Sequence, residues 1–445
     1  MSEAIDKDAN EYSSIIETVI SEAKKMGATA SEVSLGIETG LSVSARMGEV
    51  ETLEYNHDKG LGITVYKGGH KGSASTSDFA LNAVRDSVKA ACRIAEYTAE
   101  DNCAGLADKE LMAWNYPDLN LSHPWDIDSN SAVDLALECE DAGRHFDKRI
   151  TNSEGASVSS HGGLHVYGNS HGFIGSYPTT RHSVSCSMIG QDGDVMQRDY
   201  WYSVSRDANR LQAAKAIGEE SARRTLARLN GRRIATNKYP VIFSADVASS
   251  LIGHFIAAIK GGSLYRKTSF LLDAIDTQIF PEWFNACEDP HLKMGLGSAP
   301  YDSEGVVTSS REFVKEGVLK SYILSSYSAR RLGLVTTGNA GGLHNLMVKT
   351  GDKSLTELIK TMHKGLLVTE LMGQGVNGIT GDYSRGAAGF WIDHGEIQYP
   401  VEEITIAGNL KTMFSTMLEI GNDVDERKNI KTGSILLDEM TVAGE

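Results

Sequence analysis

The 445-residue sequence has few of the residues that mark disulfide-bonded, secreted or membrane proteins. Its five cysteines form no C-x-x-C pair, and their odd number argues against a disulfide framework. No apolar run approaches the roughly 20 residues that span a bilayer. The polar start MSEAIDKDANEYSS lacks the apolar core of a signal peptide. We therefore expect a cytoplasmic protein with no membrane partner.

Basic charge is also scarce, because 43 Lys and Arg stand against 59 Asp and Glu, a net charge of −16. This balance opposes non-specific binding to nucleic acid, so no nucleic-acid partner is expected. One local patch could still contact DNA, although a solvated helix end near a domain junction is the favoured interpretation. The patch consists of Arg223, Arg224, Arg228, Arg232 and Arg233.

Several motifs of catalytic chemistry are missing or lie in the wrong context. None of the 13 histidines is followed by glutamate, so no H-E-x-x-H variant exists. Ser170 lies in a G-x-S-x-G sequence, but its flanks predict short alternating strands, which favours a turn over a nucleophile elbow. The G-x-G-x-x-G sequence at 373–378 precedes no predicted helix, so a loop is favoured over a phosphate site.

A group of potential zinc ligands crowds 26 residues of the first half: His161, His165, His171, His182 and Cys186. His161 and His165 could share one strand face, whereas His171 lies beyond a glycine turn. We expect histidines on a sheet surface rather than a metal site. Stoichiometric zinc in the isolated chain would overturn this expectation.

The hydrophobic pattern predicts an α+β fold of antiparallel sheets with packed helices, in two domains, 1–232 and 233–445. The first domain contains two helix–meander–helix units joined by a loop at about 98–128. Its predicted helices are 9–27, one capped by Asp78, one running from Ser129 or Ser131 to about Lys148, and Asp207–Leu229. Its predicted strands are 33–37, 41–45, 61–65, 73–77, 156–160, 164–167, 173–177, 183–190 and 195–205, with a hairpin at Asp192-Gly193.

The second domain begins with a short buried strand, Val241–Phe243, and an apolar helix capped by Ser244 or Asp246. Gly261-Gly262 is expected to end that helix. Hairpins are predicted around Lys315-Glu316-Gly317 and Asp393-His394-Gly395. The remaining predicted helices are 327–332, 355–364 and a C-terminal helix, Leu410–Gly421.

Several long segments of this half resemble the TldD/TldE (PmbA) metalloprotease family. They are the strand–helix–GG–RKTS order of 240–270, GNAGGLHNL at 338–346, GDYSRGAAGFWI at 381–392, GEIQYPVEEITIAGNL at 395–410 and IGND at 420–423. In that family the catalytic subunit carries His-Glu-x-x-x-His on this helix and takes a further zinc ligand from a later cysteine. Here the helix has one histidine, His254, and no cysteine follows Cys287.

The resemblance is therefore to the TldE subunit, which lacks the metal site. It implies that this chain has no catalytic residue and no metal or other cofactor of its own, with zinc in a TldD-like partner. It also implies an unstructured peptide as substrate, for degradation or for peptide maturation. A homodimer of the isolated chain is a further expectation.

The candidate residues for contact with a peptide or a partner are His254, Arg266, Lys267, Asn339, His344, Asp382 and Arg385. The three cationic residues could bind a peptide carboxylate or backbone carbonyls. They could equally form structural ion pairs with acidic groups such as Asp273 or Asp382. His254 could be a lone catalytic base or a contact residue. Two other functions remain open: a regulatory binding protein of the DNA gyrase modulator type, and a stand-alone hydrolase that uses Ser170.

Overall fold

The structure is a computed structural model that describes residues 2–444, with side chains from residue 12 onward. The helices are α1 (Ser2–Lys25), α2 (Leu81–Tyr97), α3 (Ser129–Arg144), α4 (Ala214–Ala227), α5 (Ala245–Ala258), α6 (Gly261–Tyr265), α7 (Ser326–Leu332), α8 (Leu355–Met362) and α9 (Leu410–Ser415). The strands of the first half are β1 (Ala30–Arg46), β2 (Glu49–Lys67), β3 (His70–Thr76), β4 (Ile150–Asn169), β5 (Ile174–Asp192) and β6 (Val195–Ser205).

The strands of the second half are mostly shorter. They are β7 (Asn237–Phe243), β8 (Ala286–Glu288), β9 (Arg311–Lys315), β10 (Val318–Leu319), β11 (Leu346–Val348), β12 (Gly365–Met372), β13 (Asp382–Asp393), β14 (Glu396–Asn409), β15 (Met417–Ile420), β16 (Ile430–Lys431) and β17 (Ile435–Ala443).

The first half is built on one antiparallel sheet in the order β3-β2-β1-β4-β5-β6. Side chains alternate across its long strands, so one face is apolar and is covered by helices. Helices α1 and α2 cover one end of that face, around Val33 and Leu61. Helix α3, together with Ile217 of α4, covers the other end, around Val43 and Val158. The opposite face of the sheet faces the second half of the chain.

The second half contains two further sheets around a large apolar core. One has the order β14-β13-β12-β7-β17-β15, and an additional β14–β17 pairing closes it on itself. The other has the order β10-β9-β8-β11-β16. Most pairs are antiparallel, while β7–β12 and β11–β16 are parallel. The α+β class with antiparallel sheets is confirmed, whereas the boundary near residue 233 stays a prediction, and residues 1 and 445 lie outside the described residues.

Several predicted strands are parts of longer ones. The predicted strands 33–37 and 41–45 are both in β1, and the five predicted between 156 and 205 merge into β4, β5 and β6. Glycines such as Gly36 and Gly40 interrupt the apolar pattern without breaking the backbone ladder, which pairs with neighbours on both sides. The hairpin at Asp192-Gly193 is confirmed, with Gly193 at φ +59°.

Several predicted helix termini in the first half are wrong. Asp78 lies before the true N-cap of α2, Ala80, whose N–H it accepts at 2.9 Å. Helix α3 is capped by Asp128, which accepts from the backbone N–H of Ser131, and the helix ends at Arg144. The helix predicted from Asp207 begins at Ala214, because a separate turn at 208–210 comes first.

Two helix predictions in the second half are also wrong. Gly261 does not end α5 but begins α6, and a side chain there would clash because an added Cβ would lie 2.3 Å from Ser328 Oγ. The predicted C-terminal helix stops at Ser415, and the chain continues as β15. Strand β17, missed in the sequence, pairs with β15 and buries Leu437. The apolar residues after Ser415 therefore serve a sheet, not a helix.

Candidate functional site

Helix α5 occupies the position that the family resemblance assigns to catalysis. Ser244 is its N-cap, although the hydroxyl bonds to the Asp246 carboxylate instead of a helix N–H. Leu251 and Phe255 lie in the apolar core. The opposite face is only half-buried, and at Gly253 an added Cβ would meet nothing within 4 Å. This face of α5 is therefore open.

Three polar side chains gather beside the open face. The rings of His254 and Tyr383 meet edge to face, with centroids 5.8 Å apart. Arg385 lies two residues after Tyr383 on β13 and therefore on the same side of that strand. Among the described residues, His254 Nε2, the Tyr383 hydroxyl and Arg385 Nε are buried without a hydrogen-bond partner. Such unpartnered groups are rare in native proteins, so their gathering at one place calls for an explanation.

The charges of this cluster do not suit a metal ion. Burial lowers the pKa of His254, and the nearby Arg385 guanidinium lowers it further. Burial raises the pKa of Tyr383 to about 12, so its hydroxyl stays protonated at neutral pH. The Arg385 guanidinium beside His254 would repel a cation, and among the side chains that the structure describes, 12–444, no group of three His, Cys, Asp or Glu could hold a metal. The residues of this cluster do not fit the zinc of the family's catalytic subunit.

The other candidate cations occupy a separate turn. Arg266 and Lys267 are exposed directly after α6, and Lys267 adopts φ +58°. The Arg266 guanidinium lies 5.2 Å from the ring centroid of Tyr265. In the part of the chain that the structure describes, neither residue nor Arg385 forms an ion pair, so the predicted pairs with Asp273 or Asp382 are not observed. Arg266 and Lys267 are thus exposed cations without a described ion pair, and Arg266 also donates to the Tyr265 hydroxyl at 3.0 Å.

Asp382 is held by hydrogen bonds to two polar side chains. Its carboxylate accepts from Thr380 Oγ1 at 2.6 Å and from Asn409 Nδ2 at 3.1 Å. Both hydrogen bonds lower its pKa. The side chain therefore ties the start of β13 to the end of β14 and does not join the cluster at His254.

Asn339 and His344 meet at a buried glutamate that the sequence did not single out. Glu288, 2% exposed, accepts from Asn339 Nδ2 at 2.9 Å and bonds His344 Nδ1 at 2.9 Å. Glu288 and His344 are 56 residues apart in the chain. The only sequence signal is the acidic pair of CEDPH at 287–291, which is too common to indicate a site.

Asp302 is a second buried carboxyl that the sequence did not indicate. Burial raises its pKa to about 7, although three backbone N–H groups oppose that rise by donating to it. The donors are Glu304, Val306 and Ala340, at 2.9, 3.0 and 2.9 Å. Asp302 thus connects its own turn to the glycine loop that carries Asn339.

The residues of the histidine-rich segment lie in different surroundings. His161 and His165 do share a face, and both line one small cavity. His171 Nε2 bonds the carbonyl of Ala107 at 3.0 Å. His182 is buried between Ser160 and the carbonyl of His123, so the expectation of a surface position is wrong for this residue. Each ring has its own environment.

The serine and glycine motifs lie in a turn and a loop, as the sequence analysis favoured. Ser170 Oγ accepts from the Ser31 N–H at 3.1 Å in a β4–β5 turn, and no helix follows it before β5. The 373–378 glycines lie in the loop between β12 and β13. In the arginine patch, Arg224 pairs with Asp246, Arg228 with Glu370 and Arg233 with Glu403, so the patch contacts the second half of the chain. Arg223 pairs with Glu220 within α4, Arg224 and Arg228 also contact Asp199 of β6, and Arg232 lies over Tyr399. Across residues 2–444, no helix has the length and apolar character needed to cross a bilayer.

Three family models match successive parts of the chain. The PmbA/TldA metallopeptidase domain 1 matches residues 31–95, the central domain matches 122–229 and the C-terminal domain matches 236–444. The Metalloprotease PmbA homolog of Haemophilus influenzae is 53% identical over 95% of this chain and 94% of its own length. The chain belongs to the PmbA/TldD family of metallopeptidases, which confirms the resemblance seen in the sequence.

Solved structures share the whole fold. A Bacteroides thetaiotaomicron protein, named for modulation of DNA gyrase, superposes with a TM-score of 0.94 at 28% identity over 98% of this chain and 100% of that one. TldE from Thermococcus kodakarensis has a TM-score of 0.85 at 20% identity, over 97% and 100%. A Metalloprotease TldD homolog from Buchnera aphidicola is a weaker relative, 21% identical over 88% of this chain and 87% of its own. The relatives thus include a TldD-named protein, and a TldE-named protein shares the fold.

Proposed function

We propose that this chain is the non-metal subunit of a cytoplasmic TldD/TldE-type metalloprotease. It binds and encloses unstructured peptides, which a zinc-bearing TldD-like subunit cleaves. The observation that carries the proposal is the composition of the open face of α5. Family members with the catalytic motif place metal ligands on this helix, whereas here the face offers Gly253 and His254 beside a guanidinium.

The cluster beside α5 suits the recognition of peptide groups. Tyr383 and Arg385 are donors, and neutral His254 can donate or accept through Nε2. A carbonyl or carboxylate oxygen of a peptide, or of the partner subunit, would satisfy these unpartnered groups. The exposed cations Arg266 and Lys267 add positive charge in an otherwise acidic protein.

A free strand edge supports the binding of extended segments. Strand β3 pairs only with Leu61–Lys67 of β2, so Glu49–Gly60 has no outer neighbour among the described strands. Leu53 and Tyr55 are exposed on this stretch, at 45% and 68%. An unpaired edge with exposed apolar side chains is a template for strand addition, which depends on backbone bonds and so tolerates many sequences.

The metal part of the proposal is tested by zinc content. The pure chain, equilibrated with zinc and dialysed, is expected to retain far less than one ion per chain. The partner part is tested by co-purification with a TldD-like subunit. Stoichiometric zinc in the pure chain, or the absence of any complex, would contradict the proposal.

A matched pair of variants tests the α5 face. Gly253→Ala adds one methyl group to open space, whereas Gly253→Trp fills that space with an indole. We expect the complex to keep its peptidase activity with alanine and to lose most of it with tryptophan. Equal activity of the two complexes would show that the open face of α5 contacts neither peptide nor partner.

The regulatory alternative predicts a different partner. A pull-down that recovers gyrase and no TldD-like subunit would favour it. No observation among the described contacts favours it now, because the arginine patch is held in ion pairs within the chain.

A further inference from the structure

A cavity of about 990 Å³ lies between the first sheet and two loops of the second half. Its roof comes from the segments 299–303 and 340–344. It is separate from the open face of α5, since no residue of that helix lines it. Its volume is at the upper end of the range for ligand sites, about 300–1,000 Å³, so it can hold a sizeable ligand.

The charged residues of the cavity lining offer no free charge to a ligand. Among the described residues, the only Lys, Arg, Asp or Glu in the lining are Lys59 and Asp302. Lys59 follows the alternation of β2 to the helix-covered face, where its ammonium lies 5.0 Å from the ring centroid of Phe79. Asp302 has both carboxyl oxygens occupied by backbone N–H groups. The cavity therefore suits an uncharged ligand.

Two glycines leave the centre of the cavity floor bare of side chains. Gly36 of β1 pairs with Gly60 of β2. Leu35 and Leu61, their chain neighbours, are buried under the helices, so both glycines face the cavity. An added Cβ at either glycine would meet nothing within 4 Å, and neither has a positive φ. Since neither packing nor backbone geometry requires glycine here, what the two glycines provide is open space above the sheet.

The roof contributes a histidine whose orientation is fixed. The Glu288 carboxylate, 2% exposed, lies 2.9 Å from His344 Nδ1 and also accepts from the His344 backbone N–H. A carboxylate only accepts hydrogen bonds, so Nδ1 carries the proton and the opposite nitrogen, Nε2, is an acceptor. His344 lines the cavity, and its Nε2 makes no hydrogen bond within residues 12–444. The roof therefore offers one oriented acceptor that the described chain does not use.

The same loop offers donors that the described chain does not use. Gly341 and Leu343 line the cavity, and neither backbone N–H has an acceptor among the described residues. Asp302 holds the loop in place by accepting from the Ala340 N–H at 2.9 Å. An uncharged acceptor and uncharged donors above an open floor are complementary to a peptide main chain, which carries both N–H and C=O groups.

We propose that this cavity holds the main chain of an extended peptide segment, which crosses the sheet over Gly36 and Gly60. His344 Nε2 accepts a hydrogen bond from a peptide N–H, and the N–H groups of Gly341 and Leu343 donate to a peptide carbonyl. Gly60 is also the last residue of the part of β2 that lacks an outer neighbour, so the floor adjoins that free edge.

This inference rests on the proposed function in that its ligand is a peptide. It adds a second contact site, away from α5, which recognises the main chain of the peptide and neither its ends nor its side chains. Recognition of this kind suits a subunit that handles unstructured peptides of many sequences.

The test measures binding of N-acetyl-tetraalanine amide, an uncharged peptide, to the full-length chain alone, by calorimetry or NMR. Ester analogues, each with one peptide N–H replaced by oxygen, identify the N–H that is bound. We expect one analogue to bind roughly tenfold more weakly than the parent peptide, because His344 Nε2 loses its donor. The same peptide with free ends should bind no more tightly, because no charged group of the cavity holds its ends.

Two variants place the binding in this cavity. His344→Asn keeps a donor to Glu288 in the place of Nδ1 and removes the Nε2 acceptor, so the parent peptide and the sensitive ester analogue should bind it equally. Gly36→Phe should fill the floor and abolish binding. Thr52→Phe, on the same face of β2 as Gly60 but outside the cavity lining, should leave binding unchanged. Urea unfolding checks that each variant is folded.

Full affinity for every ester analogue would overturn the proposal, and so would no binding of the blocked peptide or tighter binding of the free-ended one. Unchanged binding by Gly36→Phe, or a His344→Asn protein that still discriminates against the sensitive ester, would overturn it as well. Because the assay uses no partner and no cleavage, its failure leaves the subunit role standing. Loss of that role would appear instead in the activity of the mixed subunits.

Discussion

At the scale of single residues, the chemistry of this chain is set by which neighbour stands beside each titratable group. His254 faces a guanidinium, whereas His344 faces a carboxylate. The first arrangement disfavours the charged imidazole and any bound cation, and the second fixes the tautomer of the ring. Both histidines were candidates from the sequence. Their neighbours could not be predicted, because Arg385 and Glu288 come from distant strands.

The cation beside His254 leads to a testable pKa change. Arg385→Met should raise the pKa of His254, since burial then acts without the added repulsion of the guanidinium. The measurement is an NMR pH titration of the imidazole in both proteins. An unchanged or lower pKa in the variant would show that Arg385 does not act on His254.

Asp302 should make stability depend on pH. Its pKa is about 7 in the folded chain against 3.8 for an ordinary Asp, so the folded state binds the proton more tightly. Protonated Asp302 therefore adds at most about 4 kcal/mol to the free energy of unfolding. This contribution is complete below about pH 4 and is lost as the pH rises through about 7. Asp302→Asn should remove this slope in the free energy of unfolding, measured with urea at several pH values. A parallel slope in the variant would contradict the assignment.

At the scale of elements, local patterns predicted most helices and strands but not their ends. The α5 helix was recognisable because its apolar spacing and its N-cap lie within 20 residues of sequence. The long strands were divided wrongly because glycines interrupt the apolar alternation while the backbone ladder continues. Strand β17 was missed, since its pairing with β7 and β15 depends on residues far along the chain.

The corrected cap of α3 can be checked directly. Asp128→Ala should lower the free energy of unfolding by about 1 kcal/mol, because the Ser131 N–H loses its acceptor. Ser129→Ala is the matched control and should change stability by much less, since Ser129 is the first helical residue and not the cap. Urea unfolding of the three proteins gives the comparison. A larger loss in the Ser129 variant would restore the original sequence prediction.

At the scale of the whole molecule, the two halves are joined by charged and aromatic contacts. Arg224 of α4 lies 2.9 Å from Asp246 of α5, and the Arg427 guanidinium lies 3.9 Å from the ring centroid of Trp201 in β6. The sequence indicated a junction through its arginine patch but not its partners. Arg427 and Trp201 lie more than 200 residues apart in the chain, so their contact leaves no local pattern to find.

A substitution at Arg427 tests how much its contacts between the two halves contribute to stability. It bonds both oxygens of Asp425 while it covers Trp201 and Tyr202. Arg427→Lys keeps the charge but loses the planar stacking on the rings and the bidentate hydrogen bond to Asp425. We therefore expect the free energy of unfolding to fall by about 1–2 kcal/mol. Thermal unfolding provides the measurement, with Lys411→Arg, at an exposed site on α9, as the control. No loss of stability in Arg427→Lys would mean that the stacking contributes little to the junction.

The subunit role is tested most directly by a peptidase assay on an unstructured peptide in the presence of zinc. This chain alone, a TldD-like subunit alone and the two mixed would be compared at equal concentration. We predict cleavage by the mixture and none by this chain alone, with the TldD-like subunit alone much slower than the mixture. Metal-dependent cleavage by this chain alone would contradict the account and direct mutagenesis first to His254 and to the histidines at 161–182.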